Sequence, residues 1–238
     1  GPATLAGTMV VSNAEFLGGL VIQEFSSPGA PVVYAASVDT IDFKTGANMP
    51  SPENSLMHLG LNKIAHYYDL PIEISVTGGT TSKVLDTQAG YEKATTILTH
   101  ISTTPDIALG MGGVDGARMT SAEALVIGNE IIDYALRFVE GFEVNEETMA
   151  VDIIDKVGPG GIYLGEKHTV EHFREIWMTR LSDISSYETW EQRGSRTIDE
   201  VAREKVREIL ATHKVTPLPE DVDREISRIL QRAESELL

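Results

Sequence analysis

Cysteine is absent from all 238 residues. That excludes disulfides, thiolate metal sites and a cysteine nucleophile, and it fits a reducing compartment. Positive charge is scarce: 19 Lys and Arg stand against 36 Asp and Glu, a net charge of -17. Such a surface repels polyanions, so nucleic acid is set aside. It favours a cationic substrate or a basic partner patch, or simply keeps the chain in solution. Contiguous apolar runs fall short of the ~20 residues that span a bilayer. No basic-then-apolar segment opens the chain, so the expectation is a cytoplasmic protein with no membrane contact. The chain starts Gly-Pro without an initiator Met, as a processed or cropped piece would. Neither a GxGxxG nor a Walker pattern is present.

What is present centres on Ile72–Tyr91, IEISVTGGTTSKVLDTQAGY. Ile72, Ile74 and Val76 alternate with Glu73 and Ser75, as in a strand with one buried face. The run breaks at Thr77-Gly78-Gly79-Thr80-Thr81-Ser82, where paired glycines permit positive φ and close approach of a ligand. Asp86 is then placed to N-cap a helix through Tyr91, Ala94, Ile97 and Leu98. Strand, polar glycine-rich loop, capped helix is the order in which βα proteins place chemistry, at the C-terminal ends of strands. A solvated turn is the plainer alternative.

The same rhythm recurs along the chain. Pro2–Thr8 reads as the end of a strand, and Ser12 with Glu15 as a capping box for a helix through Phe25. Gly18-Gly19 inside that helix costs about 1 kcal/mol each, which close packing would explain. Pro31–Ala35 is the next strand, and the polar stretch Asp39–Asn48 is long enough to be an active-site loop. Ser51-Pro52 opens a helix with Leu56, Leu59, Ile64 and Tyr67 as its apolar positions. Asp106–Leu109 is a further strand, followed by the loop Gly110–Gly116 and a helix over about 121–140. Residues 1–140 therefore read as four βα units, about half of a (β/α)8 TIM-type barrel in an α/β fold. Residues 141–238 read as a mostly helical C-terminal region. There His168 and His172 stand four apart, the spacing of two ligands on one helical face, with no third ligand evident. Thr169 reads as a helix start. Trp177, Trp190, Tyr163 and Tyr187 form either a cation-holding wall or a small core. The helices Ile198–Thr212 and Pro219–Leu238 carry Ile209, Leu210, Ile226, Ile229 and Leu230 as buried positions for an oligomer or domain contact.

GGTTSKVLDTQAGYEK resembles a segment of the trimethylamine:corrinoid methyltransferase superfamily. GPATLAGTMVVSNAEFLGGLVIQEFSSPGAPVVYAAS and GPGGIYLGEKHTVEHFREIWMTRLSD resemble its upstream and downstream segments. The resemblance runs the length of the chain and covers the C-terminal half of a usual member. It implies methyl transfer from a methylated amine to the Co(I) centre of a partner corrinoid protein, with no cofactor bound directly. One branch of the family uses pyrrolysine near the strand end at about Thr77–Thr80. Ordinary residues stand there in this chain, which resembles the other branch, whose substrates are quaternary amines such as glycine betaine.

With that resemblance, Thr80 and Asp115 are the catalytic candidates. Tyr34, Asp39, Thr77, Gly78, Gly79 and His172 are the substrate-binding ones. Asp39, Asp115 or Glu73 would balance a trimethylammonium, Tyr34 or Tyr163 would offer a ring face, and His172 or Arg118 would hold a carboxylate. No metal ligand set is assigned. Two other readings stand beside this one: another barrel enzyme binding a phosphate ester through loop amides, and a non-catalytic fragment or interaction module.

Overall fold

The computed structural model describes residues 1–75 and 77–237; of Ala36, Met49 and Leu237 it describes the backbone. Val76 and Leu238, both expected within regular elements, lie outside the described residues. Helix α1 (Leu5–Ser26) leads to strand β1 (Tyr34–Ala36) and a small hairpin, β2 (Thr40–Ile41) with β3 (Asn48–Met49). Helix α2 (Pro52–Tyr67), strand β4 (Ile72–Ile74), helix α3 (Thr87–Ile101) and strand β5 (Ile107–Ala108) follow. A second hairpin, β6 (Gly113–Val114) with β7 (Met119–Thr120), precedes helix α4 (Ala122–Glu140).

Strands β1, β4 and β5 form a parallel sheet in that order, with Tyr34 opposite Ile72 and Glu73 opposite Ile107. The fold is thus mixed α/β with parallel strands. Three strands stand where four were expected, and no barrel closes among the described residues. Strand residues alternate between faces. Tyr34, Ile72 and Ile74 point into one core with Met57, Leu61 and Ala65 of α2, and with Leu5, Met9 and Phe16 of α1. On the other face Ala35 is exposed and Ile107 is 41% exposed. A second core joins Ile97 and Ile101 of α3 to Ala135 of α4.

The helix starts at Ser51, Asp86 and Ser121 are as expected: each side chain accepts from the amide three residues on. The expected start at Ser12 is not. Helix α1 begins at Leu5, because Leu5 and Met9 already lie on the stripe that meets the core. Ser12 is therefore mid-helix, and Pro2–Thr8 is no strand. A Cβ at Gly18 or Gly19 would meet nothing within 4 Å, so close packing does not account for that pair. Helix α1 has 22 residues and a window of mean hydropathy 1.5, long and apolar enough by length and composition to cross a membrane. Glu15 and Glu24 break its contiguous runs, which hid this in the sequence.

The phase of α2 also differs from expectation. Its buried face is Asn54, Met57, His58, Leu61, Asn62 and Ala65, while Leu56, Leu59 and Tyr67 are exposed. Polar side chains go inside here because partners await them. Asn54 Nδ2 donates to Val38 O and to Asp39 Oδ1, both at 2.9 Å.

The C-terminal region starts with short helices α5 (Glu146–Met149) and α6 (Val151–Val157), separated by Ala150 at φ 47°. Helix α7 (Lys167–His172) begins after Glu166, not at Thr169. Helix α8 (Tyr187–Gln192) precedes α9 (Ile198–Thr212), which packs on α4 with Ala202 fully buried. Helix α10 (Glu220–Leu237) ends the described chain. Ile209, Leu210, Ile226, Ile229 and Leu230, expected to be buried, are 42% to 78% exposed. Helix α9 meets α4 through Ala202 and turns Ile209 and Leu210 outward, while Ile226, Ile229 and Leu230 stand on α10. The aromatics form two pairs, Tyr134–Trp177 and Tyr187–Trp190, and Tyr163 joins neither.

The observed phase of α2 makes a direct prediction. Leu61→Ala should cost about 2–5 kcal/mol of stability, and Leu59→Ala under about 1 kcal/mol. Urea unfolding of both variants measures this; equal losses would mean that the helix is turned the other way.

Candidate functional site

Three loops follow the C-terminal ends of β1, β4 and β5, and they meet at one end of the sheet. The loop after β4 is held by a carboxylate beneath it. Glu92 lies one turn into α3, where the Asp86 cap has fixed the helix start. Its Oε2 accepts from Thr80 Oγ1 (2.5 Å) and Thr81 N (2.8 Å), and its Oε1 from Gln88 Nε2 (2.9 Å). Burial raises its pKa, but the hydrogen bonds from Thr80, Gln88 and Thr81 outweigh that and leave it lowered. Glu92 therefore stays ionised at neutral pH.

Lys93 is the next residue, and it is 1% exposed. Its ammonium donates to Gly78 O (2.5 Å), Met111 O (2.8 Å) and Gly113 O (3.3 Å). Burial pushes its pKa down to about 8, which leaves it protonated at neutral pH, the state three carbonyls require. This one cation ties the β4 loop to the β5 loop. Backbone bonds Gly116 N to Thr80 O and Asp115 N to Ser82 O, each 2.9 Å, complete the seam. Gly78 is required to be glycine. Its φ is +72°, and a Cβ there would sit 2.7 Å from Ile97 Cδ1.

A cavity of about 180 Å³ opens where the loops meet, lined by Gly46, Ala47, Asn48, Thr81, Lys83, Asp115, Gly116 and Arg118. Asp115, at φ +50°, pairs with Lys83 at 3.3 Å. The Asp115 side chain is 21% exposed and that of Lys83 70% exposed. A larger cavity of about 510 Å³ lies between α3, α4 and the segment around Trp177. Its lining is mainly apolar. Another, of about 720 Å³, lies between the start of α1 and the β2–β3 hairpin and carries Asp39, Asp42, Lys44 and Glu53. The smaller cavity is the candidate site because it joins the β4 and β5 loops to that hairpin.

Of the residues expected at the site, Thr77, Gly78, Gly79, Thr80 and Asp115 share this seam. Thr80 is 2% exposed and its hydroxyl is committed to Glu92, so it fixes the loop. Asp39 stands in the loop after β1, just before β2, accepting from Asn54 and Asn48. Tyr34 is not at the loops. Its ring packs 4.2 Å from Phe16 in the core and its hydroxyl donates to Asn13 Oδ1. Burial, then the neighbouring Tyr68, raises its pKa. His172 is in the C-terminal region, between Glu147 and Glu175, and does not close over the cavity. Those two carboxylates raise its pKa, Glu147 first. Glu92 and Lys93 were missed by sequence reasoning. The available signal was their place on the Ala89–Ile97 face of α3, where charges are out of pattern.

Several of the loop amides are engaged inside the protein. Thr77 N donates to Leu109 O, Thr81 N to Glu92, Ser82 N to Thr80 Oγ1 and Gly113 N to Gly110 O. Below the loops, Thr77 Oγ1 lies 3.1 Å from His100 Nδ1, and the His100 ring is 4.7 Å from that of His58.

Two measurements follow from this network. Lys93→Met keeps the stem but removes the donor from three buried carbonyls, at an expected cost of at least about 2 kcal/mol. Amide exchange should speed up at Thr77 and Gly113; unchanged exchange would show that the ammonium does not hold the loops. For His100, burial and then the charge of His58 lower the pKa from 6.5 to about 3. Below 6.5 the unfolded chain takes up a proton that the folded chain refuses. This contribution to stability is present above 6.5 and is lost as the pH falls towards 3. His100→Leu should flatten the pH dependence of stability by about 1.4 kcal/mol per unit over that window. Urea midpoints at pH 7.5, 6.0 and 5.0 test it, and parallel curves for both proteins would refute it.

Residues 1–237 match the family model described as trimethylamine methyltransferase (MTTB). The chain is 37% identical over 236 residues to "Trimethylamine methyltransferase MttB" of Methanosarcina barkeri, covering 98% of this chain and 47% of that protein. It is 34% identical over 242 residues to "Glycine betaine methyltransferase" of Desulfitobacterium hafniense (strain Y51), covering 100% and 50%. With "Trimethylamine methyltransferase MttB" of Desulfitobacterium hafniense (strain DSM 10664 / DCB-2) the identity is 33% over 234 residues, covering 98% and 47%. The chain spans about half the length of these curated relatives. With a model matched over nearly every residue and a βα sheet whose loops converge on a polar cavity, the chain belongs to the trimethylamine methyltransferase (MTTB) family.

Proposed function

We propose that this chain is the C-terminal half of a methyltransferase that moves a methyl group from a quaternary amine, such as glycine betaine, to a corrinoid protein. The observation that carries the reading is the cavity at the strand ends, where the β4 loop presents Lys83, the β6–β7 turn presents Asp115 and Arg118, and the β2–β3 turn closes one side with Asn48. In this reading residues 1–140 supply half of a barrel and its substrate loops, and residues 141–238 form a helical region beside them.

The corrinoid is a second substrate, carried on its own protein. Its Co(I) attacks the methyl carbon; the C–N bond breaks and its electron pair leaves with nitrogen, giving a neutral tertiary amine. A quaternary nitrogen needs no proton for this. The chain's part is to hold the cation in line and to keep its dipoles fixed. Asp115 faces the ammonium once Lys83, mostly in solvent, swings aside, and Arg118 takes the substrate carboxylate. Thr80, Glu92 and Lys93 keep the loops from yielding as charge leaves nitrogen. The relatives' names include both trimethylamine and glycine betaine, and the ordinary residues at Thr77–Thr80 favour the quaternary substrate.

The test mixes the chain, and separately its full-length form, with a Co(I) corrinoid protein and either glycine betaine or trimethylamine. The visible spectrum reports methylated cobalt. Turnover of glycine betaine but not trimethylamine is expected, at least for the full-length form. Asp115→Asn should lower kcat/KM by about 10- to 100-fold, the loss of one partly screened charge contact. Turnover of trimethylamine alone would sink the substrate, and full activity in Asp115→Asn would sink the placement.

A further inference from the structure

The i, i+4 histidines His168 and His172 have no part in the methyl-transfer reading, yet the fold gives them a third partner. Helix α7 stacks the two rings with centroids 4.3 Å apart. The chain reverses between α5 and α7: it breaks at Ala150, and Lys156 clamps Glu166 at 2.6 Å. Helix α7 is thereby laid against the first turn of α5, which Asn145 and Thr148 cap reciprocally. Glu147 of that turn then faces both rings. Its Oε1 is 2.7 Å from His172 Nε2 and 4.0 Å from His168 Nε2, and one ligand atom from each residue lies within 4.8 Å of the others.

From this geometry we propose that Glu147, His168 and His172 bind a divalent transition-metal ion of the zinc class, which locks α7 onto α5. Four features point to it. Tetrahedral zinc with bonds of about 2.0–2.1 Å needs ligand atoms about 3.3 Å apart, and the observed separations bracket that value. Two imidazoles and one carboxylate suit zinc, nickel or copper; calcium and magnesium take oxygen sets. His172 Nδ1 is 2.6 Å from Glu175 Oε1, the outer carboxylate that orients a metal-ligating imidazole and leaves its Nε2 to the metal. All three side chains reach solvent, at 63%, 26% and 27% exposure for Glu147, His168 and His172, so an ion can enter without unfolding. His168 Nε2 now lies 3.1 Å from Glu147 O, a contact the ion would replace. Three protein ligands leave a fourth position for water.

The site stands apart from the loop cavity, so its test needs neither amine nor corrinoid. The full chain, free of any affinity tag and stripped with a chelator, is titrated with zinc(II) by calorimetry. One zinc per chain with micromolar or tighter affinity is expected, together with a raised melting temperature. His168→Ala/His172→Ala and Glu147→Ala should each weaken that site by at least about 100-fold, while their metal-free melting temperatures stay at the wild-type value. Glu175→Gln should weaken it about 10- to 100-fold at unchanged stoichiometry. Cobalt(II) gives a readout that does not depend on any variant: d–d bands of a nitrogen- and oxygen-bound ion in the wild-type chain. Absence of those bands, absence of stoichiometric zinc, or undiminished zinc binding by the double histidine variant would each overturn the proposal. In that case the cluster would be a histidine held between two carboxylates.

Discussion

One buried cation sets the geometry of the strand-end loops. The regular strands are two or three residues long, too short to fix where the loops above them go. Lys93 does that instead, with its ammonium on Gly78 O, Met111 O and Gly113 O. A buried ammonium without partners would lose its proton; with three carbonyls it stays charged and pulls two loops together. Glu92 does the complementary work next door, collecting Thr80 and Thr81 from above and Gln88 from its own helix. The two charges are adjacent in sequence and both face inward from α3, yet the structure gives them separate hydrogen-bond partners. Each holds backbone or loop hydroxyls, and the seam between the β4 and β5 loops follows from that division.

The surface that remains open is as telling as the core. The sheet buries Tyr34, Ile72 and Ile74 on one face and leaves Ala35 and Ile107 open on the other. Helix α1 is apolar over most of its length with no residue fully buried. Exposed apolar surface of this kind marks contacts with something else. The chain spans about half of its relatives' length. In the proposed reading, the other half lies against these faces and completes the ring of loops.

Much of this arrangement was legible in the sequence, and the failures have physical causes. Ser51, Asp86 and Ser121 were readable as caps because a cap is a local hydrogen bond, decided within four residues. The strands around Tyr34, Ile72 and Ile107 were readable from apolar runs bounded by turn residues. The phase of α2 was not. Its apolar Leu56 and Leu59 face out, and Asn54 and His58 face in, because their partners come from the β1 loop and α3. Such partners are invisible to periodicity. Lys93 was hidden by the ordinary rule that lysine belongs in water. Its position four residues from Ala89 and from Ile97 was the contrary sign, since both of those are buried. Glu147 could not be paired with His168 from sequence, because a reversal of the chain brings them together.

The polarity of the loops bears on the charge of the ligand in the proposed reading. Glycine-rich loops at strand ends usually suggest an anion, because their free amides point at the ligand. Here the amides of Thr77, Thr81, Ser82, Gly113, Asp115 and Gly116 all find acceptors within the protein. Lys93 is turned inward and shared among carbonyls. What reaches the cavity is the Asp115 carboxylate, with an exposed lysine as its removable counter-ion and Arg118 beside it. In the proposed reading, this site receives a molecule that carries a fixed positive charge on nitrogen and a carboxylate, Asp115 meeting the first and Arg118 the second.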